Sequence, residues 1–428
     1  MLHRTITAEL LAALGDTPVV ALNGARQTGK STLARAMVES AHPATYLTMD
    51  DADVLDAATG DAPAFVAGLQ GSVVLDEVQR APGLLLAIKA AVDRDRLPGR
   101  FFLTGSARLL LLPRLADTLA GRIEVLTLWP FSRGEVAGVR DCLVERLFHP
   151  EGFVRSPTAD DARLARDALA SMMVAGGFPE AVARASDARR AAWFRSYIAT
   201  VTERTVRDVA AIASLSELRR LLAALAARSG ALLNLADLSR TLGLPQTTVK
   251  RYAALLEIAF LTLRLPAWTV NIASRVVKTP KVYIADSGLL THLIGADADR
   301  LADDPMLFGQ VLESFVVAEL RRQSTWSSLA AGMHHFRTHA GREVDVVFED
   351  PSGRVVGVEI KATTSPSSAD FAGLRALAEA AGPRFVRGVV ICLCDRPLLF
   401  GSRLQSLPLA QLWAPTPVGR SPGGRALQ

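Results

Sequence analysis

The stretch Gly24-Ala-Arg-Gln-Thr-Gly-Lys30-Ser31-Thr32 decides the fold of the N-terminal part of the chain. It matches the phosphate-binding loop pattern G-x-x-x-x-G-K-[ST]. The apolar run Pro18–Asn23 before the loop is typical of a buried strand, and Leu33–Val38 after it is typical of a helix. In this order, the N–H groups of the loop and of the helix start form a cradle for phosphate. The stretch therefore predicts a nucleotide-binding α/β domain with a parallel sheet.

Two acids about 45 residues later complete the predicted site. The apolar run Gly71–Leu75 leads into Asp76 and Glu77, which places both carboxylates at the end of a strand. We expect Asp76 to hold Mg²⁺ through its water shell, and Glu77 to orient the attacking water. Lys30 should reach the β- and γ-phosphates while the Ser31 hydroxyl binds Mg²⁺. The predicted nucleotide-binding residues are Gly24, Ala25, Arg26, Gln27, Thr28, Gly29, Lys30, Ser31, Thr32, Asp76 and Ser106.

The role of Ser106 has two interpretations. A third apolar strand, Arg100–Thr104, runs into Gly105 and Ser106. Hydroxyl groups at that strand end could sense the γ-phosphate of a bound nucleotide. The alternative is an ordinary turn between a strand and a helix, and the residues alone favour neither.

Composition fits a multidomain cytoplasmic protein. A chain of 428 residues predicts two or three domains, and the net charge of +5 permits contact with nucleic acid without requiring it. Apolar runs are too short to span a membrane, which takes about 18 residues. The N-terminus has no secretory signal pattern, and three cysteines cannot form a disulfide framework. Cys392 and Cys394 are placed on opposite faces of a strand and are not predicted to bind metal.

The middle of the chain is predicted to be helical and to contain a helix-turn-helix. Leu235–Leu242 is amphipathic, Gly243 breaks it, and Pro245–Glu257 begins the next helix with a favourable proline. Two β-like stretches follow and are consistent with a wing. The second helix would present residues suited to reading base edges or phosphates, namely Gln246, Thr247, Lys250 and Arg251. The alternative is a module that only packs or contacts protein.

A second group of charged residues lies near the C-terminus. Asp345 and Glu359 lie on stretches that alternate like strands and are joined by turn residues, so they should form a hairpin. Glu359 and Lys361 share a strand face, and Glu313 lies on an amphipathic helix. Carboxylates and a lysine that converge in this way can hold Mg²⁺ and activate water for phosphodiester cleavage. The alternative is a solvated charged face.

The whole chain resembles a known family through an ordered series of motifs between about residues 5 and 395. Beyond the loop, the motifs include Tyr46–Asp51, Val74–Gln79, Lys278–Tyr283, Arg342–Asp345 and Glu359–Lys361. The chain is similar to prokaryotic AAA-like ATPases fused to a winged-helix segment and a C-terminal domain of uncharacterised function. In that family the C-terminal part looks like the restriction-endonuclease-like fold. The resemblance implies ATP rather than GTP, and makes Arg122 and Arg114 candidate arginine fingers acting in cis or in trans.

We therefore predict a P-loop ATPase domain over residues 1–135, a helical region over 136–230, and a winged-helix-like segment over 231–300. A restriction-endonuclease-like α/β domain should follow over 301–400, with a mostly flexible tail over 401–428. The predicted function is Mg²⁺-dependent ATP hydrolysis, with Lys30, Glu77 and Arg122 as catalytic residues, acting on or near DNA. The alternative is a nucleotide-switched regulatory or protein-interaction protein whose nuclease-like domain is inert. Protein partners and an oligomeric state stay open.

Overall fold

The N-terminal part is built around a five-stranded parallel sheet. A computed structural model describes residues 3–106, 119–140, 142–149, 165–209, 214–275 and 277–413. The strand order is β2-β3-β4-β1-β5, and every neighbouring pair is parallel. This confirms the predicted parallel α/β sheet. The strands are β1 (Val19–Asn23), β2 (Thr45–Thr48), β3 (Val73–Asp76), β4 (Phe101–Gly105) and β5 (Ile123–Thr127).

Both faces of this sheet are covered, which explains why its strands are apolar throughout. Successive side chains of a strand point to opposite faces. Val19 and Ala21 therefore belong to one hydrophobic cluster, whereas Val20 and Leu22 belong to another on the other face. The surrounding helices are α1 (Thr7–Asp16), α2 (Lys30–Ser40), α3 (Ala52–Gly60), α4 (Ala62–Gly68) and α5 (Leu84–Arg94). The predicted helix after Leu109 and the residue Arg114 lie outside the described residues.

The middle of the chain is helical, as predicted. Its helices are α6 (Arg133–Ala137), α7 (Leu143–Phe148), α8 (Arg166–Ala175), α9 (Pro179–Val182), α10 (Asp187–Val209), α11 (Leu215–Ala226), α12 (Leu235–Leu242) and α13 (Gln246–Ile258). Gly243, at φ +68°, ends α12 in the left-handed conformation and allows the tight turn into α13. An antiparallel pair follows, β6 (Thr262–Leu265) and β7 (Lys281–Ile284), with the short helix α14 (Ile272–Arg275) between them. The two expected helices and the pair of strands are thus present.

The C-terminal part contains a six-stranded mixed sheet in the order β12-β13-β11-β10-β9-β8. The predicted hairpin is confirmed, because β9 and β10 pair antiparallel with Val355 opposite Glu349. Gly353, at φ +81°, supplies the turn between them. The strands are β8 (Gly332–Arg337), β9 (Glu343–Glu349), β10 (Val355–Lys361), β11 (Phe385–Cys392), β12 (Leu398–Gly401) and β13 (Leu404–Pro408). The helices of this part are α15 (Ser287–Leu293), α16 (Ala298–Asp303), α17 (Pro305–Gln323) and α18 (Ala372–Ala381).

Helix α17 connects the parts of the chain through buried polar side chains. Glu319 accepts a hydrogen bond from the backbone N–H of Arg133 at 3.0 Å and pairs with Arg322 at 2.7 Å. Arg322 also contacts Asp286 at 3.2 Å. All three side chains are almost fully buried, so their charges are compensated by one another and by backbone groups.

The next residue of the same helix makes two further contacts. The side-chain oxygen of Gln323 accepts a hydrogen bond from the backbone N–H of Leu143 at 2.7 Å. Its amide nitrogen donates to the carbonyl of Leu412 at 2.6 Å. Gln323 is fully buried, so this one side chain satisfies backbone groups of two distant segments.

The expected arrangement of Cys392 and Cys394 is wrong. Both side chains belong to the same hydrophobic cluster, and the neighbouring thiol of Cys394 raises the pKa of Cys392. Residues two positions apart on an extended chain face the same side, not opposite sides. The predicted flexible tail after Pro415 lies outside the described residues.

Candidate functional site

The predicted phosphate-binding loop joins the end of β1 to the start of α2. Gly24, at φ +152°, lies against the chain after β5, where a Cβ atom would collide with the carbonyl oxygen of Leu128. Gly29, at φ +91°, caps the N-terminus of α2 in the left-handed conformation. Both positions therefore require glycine. The loop and the helix N-terminus have the placement that an anion cradle needs.

Lys30 is buried beneath the loop. Its ammonium donates hydrogen bonds to the carbonyl oxygens of Gly24 at 3.0 Å and Ala25 at 2.7 Å. Burial lowers the pKa of Lys30 to about 8, although the carboxylates of Glu77 and Asp76 oppose the shift. The lysine is thus held at the loop, where its charge would be available to phosphate oxygens.

The two residues predicted to hold Mg²⁺ are brought together. Ser31 Oγ lies 3.0 Å from Asp76 Oδ1, and the Thr104 hydroxyl donates to the same carboxylate oxygen. The Tyr46 hydroxyl donates to Asp76 Oδ2 at 2.7 Å. Burial, and then the bond to Asp76, raise the pKa of Tyr46 to about 12. Tyr46 is a site residue to which the sequence analysis assigned no role, although it lies in a motif that carries the family resemblance.

Glu77 follows directly after β3 and has a left-handed backbone, at φ +56°. Its carboxylate accepts a hydrogen bond from Ser106 Oγ at 3.2 Å and another from the side-chain amide of Gln79. Gln79 also donates to Ser106 Oγ at 3.0 Å. Ser106 therefore lies beside the predicted catalytic carboxylate, and Gln79 is a neighbour that the sequence analysis missed. The positive φ turns Glu77 away from the strand direction of Asp76.

A cavity of about 710 Å³ lies over the loop. Loop residues form one wall, and side chains of α10, including Trp193, Tyr197 and Thr200, form another. The Tyr197 hydroxyl donates to the Arg26 carbonyl at 3.3 Å, so the helical region touches the loop directly. This volume lies within the usual range for small-molecule sites, about 300–1,000 Å³.

The structure contradicts Arg122 as a finger acting in cis. Its carbonyl accepts a hydrogen bond from the N–H of Val19, which begins β1, whereas the loop follows the end of that strand. The guanidinium forms an ion pair with Asp93 of α5 at 2.5 Å. Arg122 therefore lies at the opposite edge of the parallel sheet from Lys30. Action in trans stays a prediction.

A second group of buried charges lies between β7, α17 and the C-terminal sheet; we call it the acidic cluster. It contains Glu313, Glu343, Asp345 and Glu359, together with Lys281 and Lys361. The Lys281 ammonium lies 2.9 Å from Glu313, 2.6 Å from Glu343 and 3.0 Å from Asp345. The cluster therefore has a cation from a distant strand at its centre. Its side chain is only 3% exposed.

Two of the predicted residues, Glu359 and Lys361, form an ion pair within the same cluster. Glu359 Oε1 pairs with Lys361 at 2.7 Å, while Glu359 Oε2 is buried and has no hydrogen-bond partner among the described residues. Asp345 Oδ2 accepts the N–H of Ile360 at 3.0 Å. Burial, and then the nearby Asp345, raise the pKa of Glu313 to about 7 and that of Glu359 to about 8. The predicted convergence of these four residues is thus present.

The structure does not support the predicted metal site in this geometry. Within the described residues, no group of three or more His, Cys, Asp or Glu side chains is arranged to hold a metal ion. Lys281 takes the oxygen atoms of three carboxylates that a metal would need. Lys281 and Glu343 were not predicted from the sequence. The signals available were the family motif Lys278–Tyr283 and the rarity of lysine, because only six of the 48 basic residues are lysines.

The helix-turn-helix presents the residues that were expected on its surface. Gln246, Thr247, Lys250 and Arg251 of α13 are all exposed. The segment between β6 and β7 packs on the C-terminal sheet instead of projecting freely. The N–H of Trp268 donates to the His335 carbonyl at 2.6 Å, and Arg275 pairs with Glu349. The exposed face of α13 is therefore one available contact surface.

Comparison with known proteins identifies relatives over most of the chain. Mb2031c of Mycobacterium bovis and Rv2008c of Mycobacterium tuberculosis, both called uncharacterized proteins, are each 35% identical over 367 residues. The alignment covers 85% of this chain and 75% of each relative. The chain belongs to the family of these mycobacterial proteins. An uncharacterized protein of Haemophilus influenzae is 24% identical over 259 residues, covering 58% of this chain and 57% of that protein.

Family models divide the chain into three matched regions. Residues 16–137 match an AAA domain, which supports the predicted AAA-like ATPase. Residues 166–300 and 308–412 match two domains of unknown function, DUF8612 and DUF4143. The AAA match covers the parallel sheet and the phosphate-binding loop.

Two solved structures show distant similarity. The Thermotoga maritima RuvB Holliday junction branch migration motor is 18% identical, covers 62% of this chain and 90% of that chain, and has a TM-score of 0.31. The Aeropyrum pernix ORC2 protein is 16% identical, covers 71% and 90%, and also has a TM-score of 0.31. Of the helices in the described ranges, none is long and apolar enough to cross a membrane.

Proposed function

We propose that this protein binds ATP with Mg²⁺ and hydrolyses it at the loop Gly24–Thr32. The observation that carries the proposal is the 3.0 Å contact between Ser31 and Asp76, beside buried Lys30 and the Glu77 carboxylate. Ser31 and Asp76 carry the hydroxyl and carboxylate oxygens that would hold Mg²⁺, which neutralises phosphate charge when bound. The match to an AAA domain supports the same assignment.

The protein's own groups would then divide the chemistry between them. Lys30 would exchange its two carbonyl partners for β- and γ-phosphate oxygens, which carry full negative charge. Glu77 would orient the attacking water and accept its proton. Ser106 and Gln79 would position the Glu77 carboxylate through the hydrogen bonds already described.

Replacement of Lys30 tests the nucleotide site. Lys30→Ala should abolish tight binding of ATP with Mg²⁺, because the fixed charge opposite the β- and γ-phosphates is lost. Binding is measured by isothermal titration calorimetry, with Lys89→Ala on α5 as a control that removes a lysine elsewhere in the same domain. Equal ATP affinity in wild type and Lys30→Ala would contradict the proposal.

We further propose that the ATPase acts on or near DNA through the exposed face of α13. This second function rests on the surface placement of Gln246, Thr247, Lys250 and Arg251 on the second helix of a helix-turn-helix. In this interpretation residues 1–135 form the ATPase domain, 136–230 a helical region, 231–300 a winged-helix-like segment and 301–400 a restriction-endonuclease-like domain.

Salt dependence and charge reversal test the DNA proposal. Affinity for duplex DNA should fall steeply with salt because phosphate contacts release counterions. The double variant Lys250→Glu/Arg251→Glu should bind more weakly than wild type. The control Arg94→Glu/Arg96→Glu makes the same change in net charge at exposed positions of the ATPase part. Equal weakening in both double variants would indicate a general charge effect and would remove α13 as the contact surface.

The alternative function is a nucleotide-switched regulatory protein whose nuclease-like domain is inert. The observation that favours it is the position of Lys281, which pairs with the carboxylates otherwise suited to a metal. A panel of single-stranded, duplex and branched DNA with Mn²⁺ and ATP separates the alternatives. DNA cleavage by the wild type that is lost in Asp345→Ala would exclude the hypothesis that the nuclease-like domain is inert.

A further inference from the structure

The position of Lys281 in the acidic cluster suggests a specific role for this lysine. It lies at the start of β7, which pairs with β6 and belongs to the middle of the chain. Its side chain extends to Glu313 on α17 and to Glu343 and Asp345 on β9 of the C-terminal sheet. One ammonium thus connects two parts of the protein through buried contacts.

Three carboxylates surround the ammonium. Its Nζ donates hydrogen bonds to Glu313 at 2.9 Å and to Asp345 at 3.0 Å, and it forms an ion pair with Glu343 at 2.6 Å. A lysine ammonium has three N–H donors, so carboxylates engage at least two of them. The second lysine of the cluster, Lys361, contacts Glu359 alone among its carboxylates.

The charges of the cluster are incompletely matched. Four carboxylates, Glu313, Glu343, Asp345 and Glu359, face three cations, namely Lys281, Lys361 and Arg337, which lies 3.5 Å from Glu343. Among the described residues, buried Glu359 Oε2 has no hydrogen-bond partner. Glu359 as a whole is only 7% exposed. A buried carboxylate oxygen without a partner is costly, and it indicates a position that another cation could satisfy.

We propose that the acidic cluster is a divalent-cation site that Lys281 keeps closed. The ammonium takes the place of the metal between Glu313 and Asp345, and a cation binds there only when Lys281 is removed or withdrawn with β7. This inference does not depend on ATP hydrolysis, because none of these residues lines the cavity over the loop.

Mn²⁺ binding to the full-length protein without nucleotide tests the proposal. Binding is followed by electron paramagnetic resonance of free Mn²⁺ and by the thermal transition. Any Mn²⁺ binding by the wild type should be the same in Asp345→Asn, because the cluster is closed. Lys281→Met should bind Mn²⁺ at least about tenfold more tightly and should show an Mn²⁺-dependent rise in Tm. The double variant Lys281→Met/Asp345→Asn should lose both effects.

Two controls keep the test decisive. Lys278→Met removes an exposed lysine three residues away and should behave as wild type. Lys281→Arg keeps the positive charge and should keep the site closed. Wild-type binding of Mn²⁺ that Asp345→Asn abolishes would overturn the proposal, and that comparison does not require Lys281→Met to fold. A folded Lys281→Met that binds no Mn²⁺ would overturn it as well.

Discussion

Glu77→Gln should slow ATP hydrolysis severely while leaving ATP bound. Four carboxylates line or border the described part of the cavity. Asp50 and Glu180 each form an ion pair with an arginine. Both carboxylate oxygens of Asp76 accept hydrogen bonds from hydroxyl groups of other residues. Glu77 is therefore the carboxylate placed to act on water, and none of the other three can replace it without breaking its own contacts.

Since no other carboxylate can replace Glu77, Glu77→Gln should lose the full rate contribution of a general base. Loss of a general base typically costs about 10²–10⁴-fold in rate. We expect a fall in kcat of about 10³-fold, or roughly 4 kcal/mol at 1.36 kcal/mol per tenfold change. Glutamine has the same shape, and its amide oxygen can still accept the Ser106 hydroxyl, so ATP affinity should change little.

The assay is steady-state phosphate release together with calorimetric titration of ATP with Mg²⁺. Asp50→Asn serves as a matched control, because it neutralises another carboxylate of the same cavity and should leave kcat within about threefold of wild type. The reasoning is refuted if Glu77→Gln hydrolyses ATP at the wild-type rate, or if Asp50→Asn is slowed as strongly.

Three further variants probe neighbouring features. Ser106→Ala removes a hydrogen bond to the Glu77 carboxylate and should lower kcat by about tenfold with little change in ATP affinity; an unchanged kcat would show that Ser106 does not position Glu77. Glu135→Ala removes the carboxylate partner of buried Arg4, 3.2 Å away, and leaves it only the carbonyl acceptors of Thr28 and Trp129. The loss should cost about 3–5 kcal/mol, seen as a lower urea midpoint; a loss under about 1 kcal/mol would contradict this. Burial lowers the pKa of His335 to about 4. At acid pH the unfolded chain therefore binds more protons than the folded chain. The lowered pKa of His335 contributes roughly 3 kcal/mol to the free energy of unfolding. This contribution is complete above the ordinary pKa near 6.5 and is lost as pH falls towards 4. His335→Gln should flatten the decline of Tm between pH 6.5 and 4.5, and an unchanged slope would exclude His335 as its source.

The N-terminal part could be predicted in detail because its signals are local. The glycines of the loop, the apolar strands and the acids after β3 are each close together in sequence, and the parallel sheet brings their ends together. Gln79 could not be recognised in the same way. Its contact with Glu77 depends on the positive φ of Glu77, and no residue pattern in the sequence predicts that conformation.

Only some of the residues of the acidic cluster could be predicted from the sequence. The hairpin places Asp345 and Glu359 near each other through alternation and turn residues alone. Lys281 reaches the same place from 64 residues before Asp345, across two structural units. Such a contact depends on how the units pack, and periodicity carries no information about that. The position of Arg122, by contrast, follows from sequence order. Arg122 directly precedes β5, and residues before the strands of a parallel sheet lie at the edge opposite the phosphate-binding loop.

The buried polar side chains of α17 have a consequence for how this architecture can be inherited. Glu319, Arg322 and Gln323 each contact a residue that lies earlier in the chain, by up to 186 residues. A C-terminal part transferred alone to another protein would leave these groups unsatisfied, at about 1–3 kcal/mol for each. The exchange of such modules between genes should therefore be rare. The three regions should be passed on as a block, and substitutions at α17 should be matched by changes in the ATPase part and the helical middle.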